Sequence, residues 1–199
     1  MKLIFRTSYS QNNRKVFELT TKNHAEYCER HGYVYMPVEE KYSPYIDMGK
    51  AQWDLLNNAD VLAFIGTDVL IQHPEKPLTD FVHDGITMCH DYPNGMLNGD
   101  MVLMSGKWAV YLCPKVAVLQ QQRRSTDAAI ELMRGKFKGI HDEPMMQIPA
   151  PNMNPTVDYS GVDTKDYFAI HYHALYASNG TTPDFKYNKM IEDGLCAGC

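Results

Sequence analysis

Long hydrophobic runs are missing from this sequence. No stretch approaches the roughly 18 consecutive apolar residues that a membrane-spanning helix needs. The first ten residues, MKLIFRTSYS, turn polar too early for a signal peptide. We therefore expect a cytoplasmic protein with no membrane span.

Cysteine is scarce, and an excess of positive charge is absent. The five cysteines are odd in number and scattered, which favours reduced thiols over a disulfide framework. The formal net charge of -5 excludes broad electrostatic binding to nucleic acid or to an anionic membrane. An anionic ligand would therefore need a local site, and no feature of the sequence indicates the oligomeric state.

The length of 199 residues fits one globular domain. Its first third alternates strand, helix, strand, helix, strand, which predicts an α/β fold with a mainly parallel sheet flanked by helices. The first helix is predicted over residues 14–30, with Val16, Leu19 and Tyr27 on one face. The second helix lies in IDMGKAQWDLLNN, and the three strands are KLIFRT, YVYMPV and DVLAFIG.

The second half is less regular. Further strands are predicted in GITMCHD, DMVLMS and DYFAIHYHAL, and the glycine and proline content of residues 139–161 predicts a loop-rich lobe packed on the sheet. The ending IEDGLCAGC looks cut rather than finished. One expectation is therefore that the chain belongs to a longer polypeptide.

A single acidic residue follows the third predicted strand, in the segment FIGTDVLI. In an open α/β sheet, ligands bind outside the carboxyl ends of the strands, where Asp68 lies. Aspartate is also a common turn and capping residue at such positions. The position alone leaves both a metal or catalytic role and a turn role open.

Five sequence blocks occur together in an order and approximate spacing that resemble a known class of enzymes. They resemble nucleotide-sugar glycosyltransferases of the GT-A fold. The chain is most similar to glycosyltransferase family 34, the α-galactosyl and α-xylosyl transferases, and it shares features with the glycogenin-related retaining galactosyltransferases. The blocks span most of residues 1–175 and are NHAEYCERHGYVYMPVEE, GKAQWDLLNNADVLAFIGTDVLIQHP, LNGDMVLMSGKWAVYL, DEPMMQ and AIHYHAL.

The resemblance implies a Rossmann-like GT-A domain over residues 1–199. Residues 1–105 would bind the nucleotide sugar, and residues 106–199 would form the acceptor side. The implied activity is transfer of a sugar from a UDP-sugar donor to a hydroxyl of a glycan or glycoprotein acceptor, with a divalent metal and retention of configuration.

In such families a strand ends in Asp-any-Asp, whose carboxylates hold Mn(II) or Mg(II) against the donor pyrophosphate. The resemblance assigns the second aspartate to Asp68, whereas Gly66 stands where the first would be. That departure implies a differently held nucleotide or a lower metal affinity. A hard divalent ion takes oxygen ligands and neutralises the charge that develops on UDP.

The families also supply a histidine ligand from a late strand, which AIHYHAL matches with His171 and, as second choice, His173. An isolated histidine is otherwise most often a core or surface imidazole. A set that combines imidazole and carboxylate favours Mn(II) over Mg(II), because Mg(II) prefers an all-oxygen shell.

The resemblance further implies contacts with the donor and a pair of catalytic acids. Asp142 and Glu143, in HDEPMMQ, would act beside the anomeric carbon as nucleophile, stabiliser or general base. The alternative for these two is the acidic start of a helix with Pro144 at its first position. The implied donor-binding residues are Arg6, Thr7, Ser8, Lys50, Thr67, Asn98 and Asp100, the last through sugar hydroxyls.

Two other functions are compatible with the sequence. Gly66 motivates the first, a non-catalytic nucleotide or glycan binding module with a degenerate metal motif. The second is a nucleotidyltransferase that makes sugar nucleotides. It ranks last because SYSQNNRK, after the first strand, contains none of the glycines of a phosphate-binding loop.

Overall fold

The computed structural model describes residues 1–39, 59–82, 86–90, 97–105, 145–147, 168–172, 183–192 and 194. Within these ranges the chain forms two sheets and two α-helices, together with short 3-10 turns. The helices are α1 (Arg14–His31) and α2 (Pro183–Glu192). The strands are β1 (Leu3–Tyr9), β2 (Val34–Glu39), β3 (Val61–Ile65), β4 (Val69–Ile71), β5 (Ile86–His90), β6 (Leu97–Ser105), β7 (Met145–Gln147) and β8 (Ala169–His171).

The larger sheet has six strands in the order β2-β1-β3-β6-β5-β7. Strand β6 runs antiparallel to both of its neighbours, and the remaining pairings are parallel. Five of the six strands therefore point the same way, which confirms the predicted mainly parallel sheet. The carboxyl ends of β1 and β3 consequently lie at the same edge.

The β1-α1-β2 unit is built as its sequence predicts. Helix α1 is preceded by a turn in which the Ser10 amide donates to the Asn13 side chain at 2.6 Å. It ends at Gly32, whose φ of 67° is left-handed, and there the Tyr33 amide donates to the Cys28 carbonyl at 2.9 Å. The chain then enters β2, which pairs parallel to β1.

Alternate residues of the central strands form the main core. On β1, β3 and β6 these residues point to one face of the sheet, where Tyr27 of α1 and Phe168 pack against them. They are all buried: Leu3, Phe5, Val61, Ala63, Ile65, Met101 and Leu103. The residues between them are buried as well, so both faces of these three strands are covered, as is usual for a mainly parallel sheet.

The second sheet pairs β4 with β8 in antiparallel register. A separate apolar cluster joins this sheet to the two helices, and it consists of Val16, Leu19, Ile170, Tyr172 and Met190. Among the described residues around position 170, only Ala169–His171 are strand, so β8 is shorter than the predicted DYFAIHYHAL strand.

One sequence prediction is contradicted by the structure, and another lies largely outside the described residues. Residues Met145–Gln147 form β7, so the alternative of a helix beginning at Pro144 is wrong. The predicted loop-rich lobe at residues 139–161 otherwise lies outside the described residues. In the part of the chain that the structure describes, neither helix has the length and apolar character to span a bilayer.

Candidate metal site

The site begins at the turn between β3 and β4. Strand β3 ends at Ile65, and β4 begins at Val69, whose amide donates to the Gly66 carbonyl at 3.2 Å. Asp68 is the last residue of this turn and is largely buried. Its predicted position, just past the carboxyl end of the third strand, is confirmed.

Strand β6 brings a second carboxylate to this turn. Ile65 of β3 pairs with Met101 of β6, and the Gly66 amide extends the pairing by donating to the Asp100 carbonyl at 2.7 Å. Asp100 therefore lies opposite Gly66. The two residues are distant in sequence, and the antiparallel pairing alone sets them side by side.

Strand β8 brings an imidazole. Val69 pairs with His171, and the Tyr172 amide donates to the Asp68 carbonyl at 2.8 Å. The His171 Nε2 atom lies 3.4 Å from Oδ1 of Asp68 and 3.2 Å from Oδ2 of Asp100. The His171 side chain is 0% exposed and that of Asp100 is 44% exposed, so the cluster opens to solvent on the Asp100 side.

The three side chains offer donor atoms that suit a divalent cation. One atom from each of Asp68, Asp100 and His171 lies within 4.8 Å of the other two. Two carboxylate oxygens and one imidazole nitrogen form a set of the kind that binds Mn(II), and the carboxylates supply the negative charge that a hard cation needs. The residues present therefore fit a metal.

Gly66 is packed closely against this cluster, which leaves little room for a side chain at position 66. A Cβ atom on Gly66 would stand 2.9 Å from Oδ1 of Asp68 and 3.0 Å from Cβ of Asp100. Distances this short require the neighbouring atoms to move. The space that the first aspartate of Asp-any-Asp would fill is thus taken by Asp100, which reaches the same place from the neighbouring strand.

The three predicted donor-binding residues at the end of β1 divide between the two faces of the sheet. The Thr7 hydroxyl lies 3.2 Å from Nδ1 of His24 on α1. Because side chains alternate along a strand, Arg6 and Ser8 point to the opposite face, and both are buried. Of these three residues, only Thr7 therefore has its side chain on the face of the sheet that packs against α1.

Thr67 and Asn98 flank the cluster in sequence. The Thr67 hydroxyl accepts a bond from the Asn13 amide at 3.2 Å. Asn98 lies in β6 opposite Cys89, and its side chain is outside the described part of the structure. The other predicted site residues also lie outside the described residues, and they are Lys50, Asp142, Glu143 and His173.

Sequence reasoning missed the polar inner face of α1. His24 is fully buried, and burial lowers the pKa of His24 to about 4, so the ring is neutral. Its Nε2 atom lies 2.7 Å from the Val69 carbonyl and therefore carries the proton, which leaves Nδ1 to accept from Thr7. The sequence contains a signal for this polar face, because side chains that carry hydrogen-bond donors recur at helical spacing. They include Thr20, Asn23 and His24.

Solved structures resemble the fold of this protein over nearly the whole chain. A glycosyltransferase involved in the glycosylation of the major capsid of PBCV-1 aligns with a TM-score of 0.72 and 15% identity, covering 96% of this chain and 100% of that one. The chain has the GT-A fold.

Two further glycosyltransferases share the GT-A fold with this chain at lower scores. The apo form of the glycosyltransferase GlyE of Streptococcus pneumoniae TIGR4 aligns with a TM-score of 0.61 and 11% identity, covering 98% of this chain and 64% of that one. A galactosyltransferase, LgtC, in complex with donor and acceptor sugar analogs, aligns with a TM-score of 0.53 and 11% identity, covering 97% and 96%.

No protein-family model and no curated protein sequence matches the chain. At these identities the likeness establishes the GT-A fold, which confirms the expectation from sequence. Membership of family 34 in particular stays a prediction.

Proposed function

We propose that the chain is a metal-dependent glycosyltransferase that moves a sugar from a UDP-sugar to a hydroxyl of a glycan or glycoprotein. The observation that carries this proposal is the convergence of Asp68, Asp100 and His171 at the carboxyl edge of a GT-A sheet. That edge is where open α/β sheets bind ligands. A solvent-facing cation site there suits the diphosphate of a nucleotide sugar.

In this proposal Asp68, Asp100 and His171 hold the ion, and Mn(II) is favoured over Mg(II) because one ligand is an imidazole. When bound, the ion neutralises charge on the departing diphosphate. Asp100 is thereby reassigned from the sugar hydroxyls to the metal, since its carboxylate lies 3.2 Å from the imidazole of His171. His173 is kept as the second histidine candidate.

The donor would extend from this cluster across the end of β1. Among the described residues the buried Ser8 hydroxyl has no hydrogen-bond partner. A buried hydroxyl is costly without a partner, so we assign the Ser8 hydroxyl to a group of the donor. Arg6, Thr7, Lys50, Thr67 and Asn98 remain proposed donor-binding residues from the sequence resemblance alone.

Catalysis is assigned to Asp142 or Glu143, near the anomeric carbon, again on the resemblance. A carboxylate there would attack that carbon or stabilise its positive charge as the bond to UDP breaks, with retention of configuration. The acceptor hydroxyl then bonds to the anomeric carbon, and its proton passes to the phosphate oxygen that the sugar has left.

Isothermal titration with Mn(II) tests the metal site directly. We expect the wild-type protein to bind Mn(II), and to bind UDP more tightly with Mn(II) than with EDTA. Asp68→Asn and Asp100→Asn should each weaken Mn(II) binding by about tenfold or more, because each removes a charged ligand. Asp80→Asn is the matched control, since Asp80 is an exposed acid outside the cluster.

Wild-type protein that binds no Mn(II), or an Asp80→Asn variant as weak as Asp68→Asn, would contradict the metal assignment. The alternative function, a non-catalytic binding module, would use the same metal and nucleotide site. It would differ from the enzyme only in lacking turnover. Release of UDP from UDP-galactose and UDP-glucose therefore separates the two functions.

A further inference from the structure

Five polar side chains of α1 form a single stripe that we call the α1 stripe. They recur at the spacing i, i+3, i+4, i+7 and i+11, which places them on one face of a helix. Every one contacts a main-chain oxygen of the segment 67–76. The five residues are Thr20, Asn23, His24, Tyr27 and His31.

The first part of the α1 stripe runs along one edge of β4. The Thr20 hydroxyl donates to the Thr67 carbonyl at 2.7 Å, and Nε2 of His24 donates to the Val69 carbonyl at 2.7 Å. The Asn23 amide makes two bonds to Ile71, donating to its carbonyl at 2.9 Å and accepting from its amide at 3.0 Å. The bonded main-chain groups therefore belong to alternate residues.

The geometry of the two elements explains this match. Four residues of helix rise about 6 Å, and two residues of strand advance about 6.6 Å. Side chains at i and i+4 of α1 can thus reach alternate carbonyls of a neighbouring strand. Since the other edge of β4 pairs with β8, α1 takes the place of a strand on the edge that pairs with none of the described strands.

We propose that the α1 stripe positions Asp68 for metal binding, with Thr20 and His24 as positioning residues. Asp68 lies between Thr67 and Val69, whose carbonyls these two side chains hold from buried positions. Loss of either bond leaves a buried carbonyl unsatisfied and frees the peptide next to the ligand. The proposal rests on the proposed function in which Asp68 binds a divalent ion.

Thr20→Val tests this role, because valine keeps the shape of the side chain and removes its hydroxyl. We expect the Kd for Mn(II), measured by titration calorimetry, to rise about tenfold, the scale typical of groups that orient metal ligands. Thr20→Ser restores the hydroxyl and should recover most of the affinity.

Tyr27→Phe is the matched control within the α1 stripe. It removes a hydroxyl that donates at 2.9 Å to the carbonyl of Lys76, beyond the end of β4. We expect it to lower the melting temperature by an amount similar to Thr20→Val while the Kd for Mn(II) stays within twofold of wild type.

Hydrogen exchange of metal-free protein supplies a second readout. The Val69 and Tyr172 amides should exchange faster in Thr20→Val and at the wild-type rate in Tyr27→Phe. If wild type binds Mn(II) and Thr20→Val binds it equally well, the positioning role is overturned and the proposed function stands. If wild type binds no Mn(II), the proposed function fails and the role in metal binding fails with it. Equal exchange in all three proteins would show that the α1 stripe does not fix the segment.

Discussion

Gly66 is the residue whose interpretation changes most between the sequence and the structure. In the sequence it replaces a carboxylate of the Asp-any-Asp motif, which implies a weakened site. In the structure it leaves room for Asp100, whose Cβ would be 3.0 Å from a Cβ at position 66. The missing carboxylate is supplied by another strand.

Gly66→Asp is therefore expected to weaken Mn(II) binding, although it completes the Asp-any-Asp pattern. The added side chain must displace Asp68 or Asp100, and we expect a loss of about tenfold or more in affinity. Titration calorimetry measures it, and Gly66→Ala is the size control, since its single added carbon already meets Asp68 at 2.9 Å. Tighter binding by Gly66→Asp would show that the position is a vacant ligand site.

At the scale of elements, strand β8 has two roles. It packs in the second apolar cluster, and it carries His171. Ile170 is buried in that cluster, next to His171 in sequence. Ile170→Ala should lower the free energy of unfolding by about 2–4 kcal/mol through the cavity it leaves. It should also weaken Mn(II) binding, because the cavity loosens the strand that holds the imidazole.

The control for Ile170→Ala is Met190→Ala. Met190 belongs to the same cluster and is 0% exposed, but it lies on α2, which carries none of the three proposed ligands. Urea unfolding in EDTA should show comparable losses of stability in the two variants, and Mn(II) titration should show lowered affinity in Ile170→Ala only. Equal Mn(II) affinities would mean that β8 packing does not support the site.

The elements also show what sequence could and could not predict. The β1-α1-β2 unit and Asp68 at the end of β3 follow from local signals, namely apolar strands, a terminating glycine and an acid at a strand end. His171 followed from its resemblance to a family motif. The role of Asp100 depends on which strand lies beside β3, and no local pattern specifies that an antiparallel β6 is inserted there.

The inner face of α1 was missed for a related reason. Hydrophobic periodicity assigns polar residues to solvent, so it identified Val16, Leu19 and Tyr27 and passed over Thr20 and His24. A polar side chain can be buried when the opposing strand offers a carbonyl. That carbonyl belongs to a segment more than 40 residues away, since His24 and Val69 are separated by 45 positions.

At the scale of the whole molecule, the neutral His24 makes stability depend on pH. Its pKa falls from 6.5 to about 4 on folding, chiefly because burial disfavours the charged ring. Above pH 6.5 both states are neutral and the full stability is present. Between pH 6.5 and 4 the unfolded chain binds a proton that the folded chain does not, so stability falls as pH falls, by about 3 kcal/mol for this group.

His24→Gln removes this titration while an amide can still donate to the Val69 carbonyl. We expect its free energy of unfolding in EDTA to decline less steeply than that of wild type between pH 6.5 and 4. Chemical denaturation at half-unit pH steps gives the two slopes, and other titrating groups cancel in their difference. Parallel slopes would mean that the folded protein protonates His24 as readily as the unfolded chain does.

The pairing of β4 with β8 also sets an order of events during synthesis. His171 lies about 100 residues after Asp68, and ribosomes add roughly 5–20 residues per second, so β4 leaves the ribosome several seconds before its partner strand. Helix α1 precedes β4 along the chain and can occupy one edge of it at once. The other edge stays open until β8 arrives, so the nascent chain carries an unpaired strand edge in that interval. A ribosome stalled after Asp100 and before β8 would hold a chain with both aspartates and without His171, so the proposed set of metal ligands is complete only after β8 has been made.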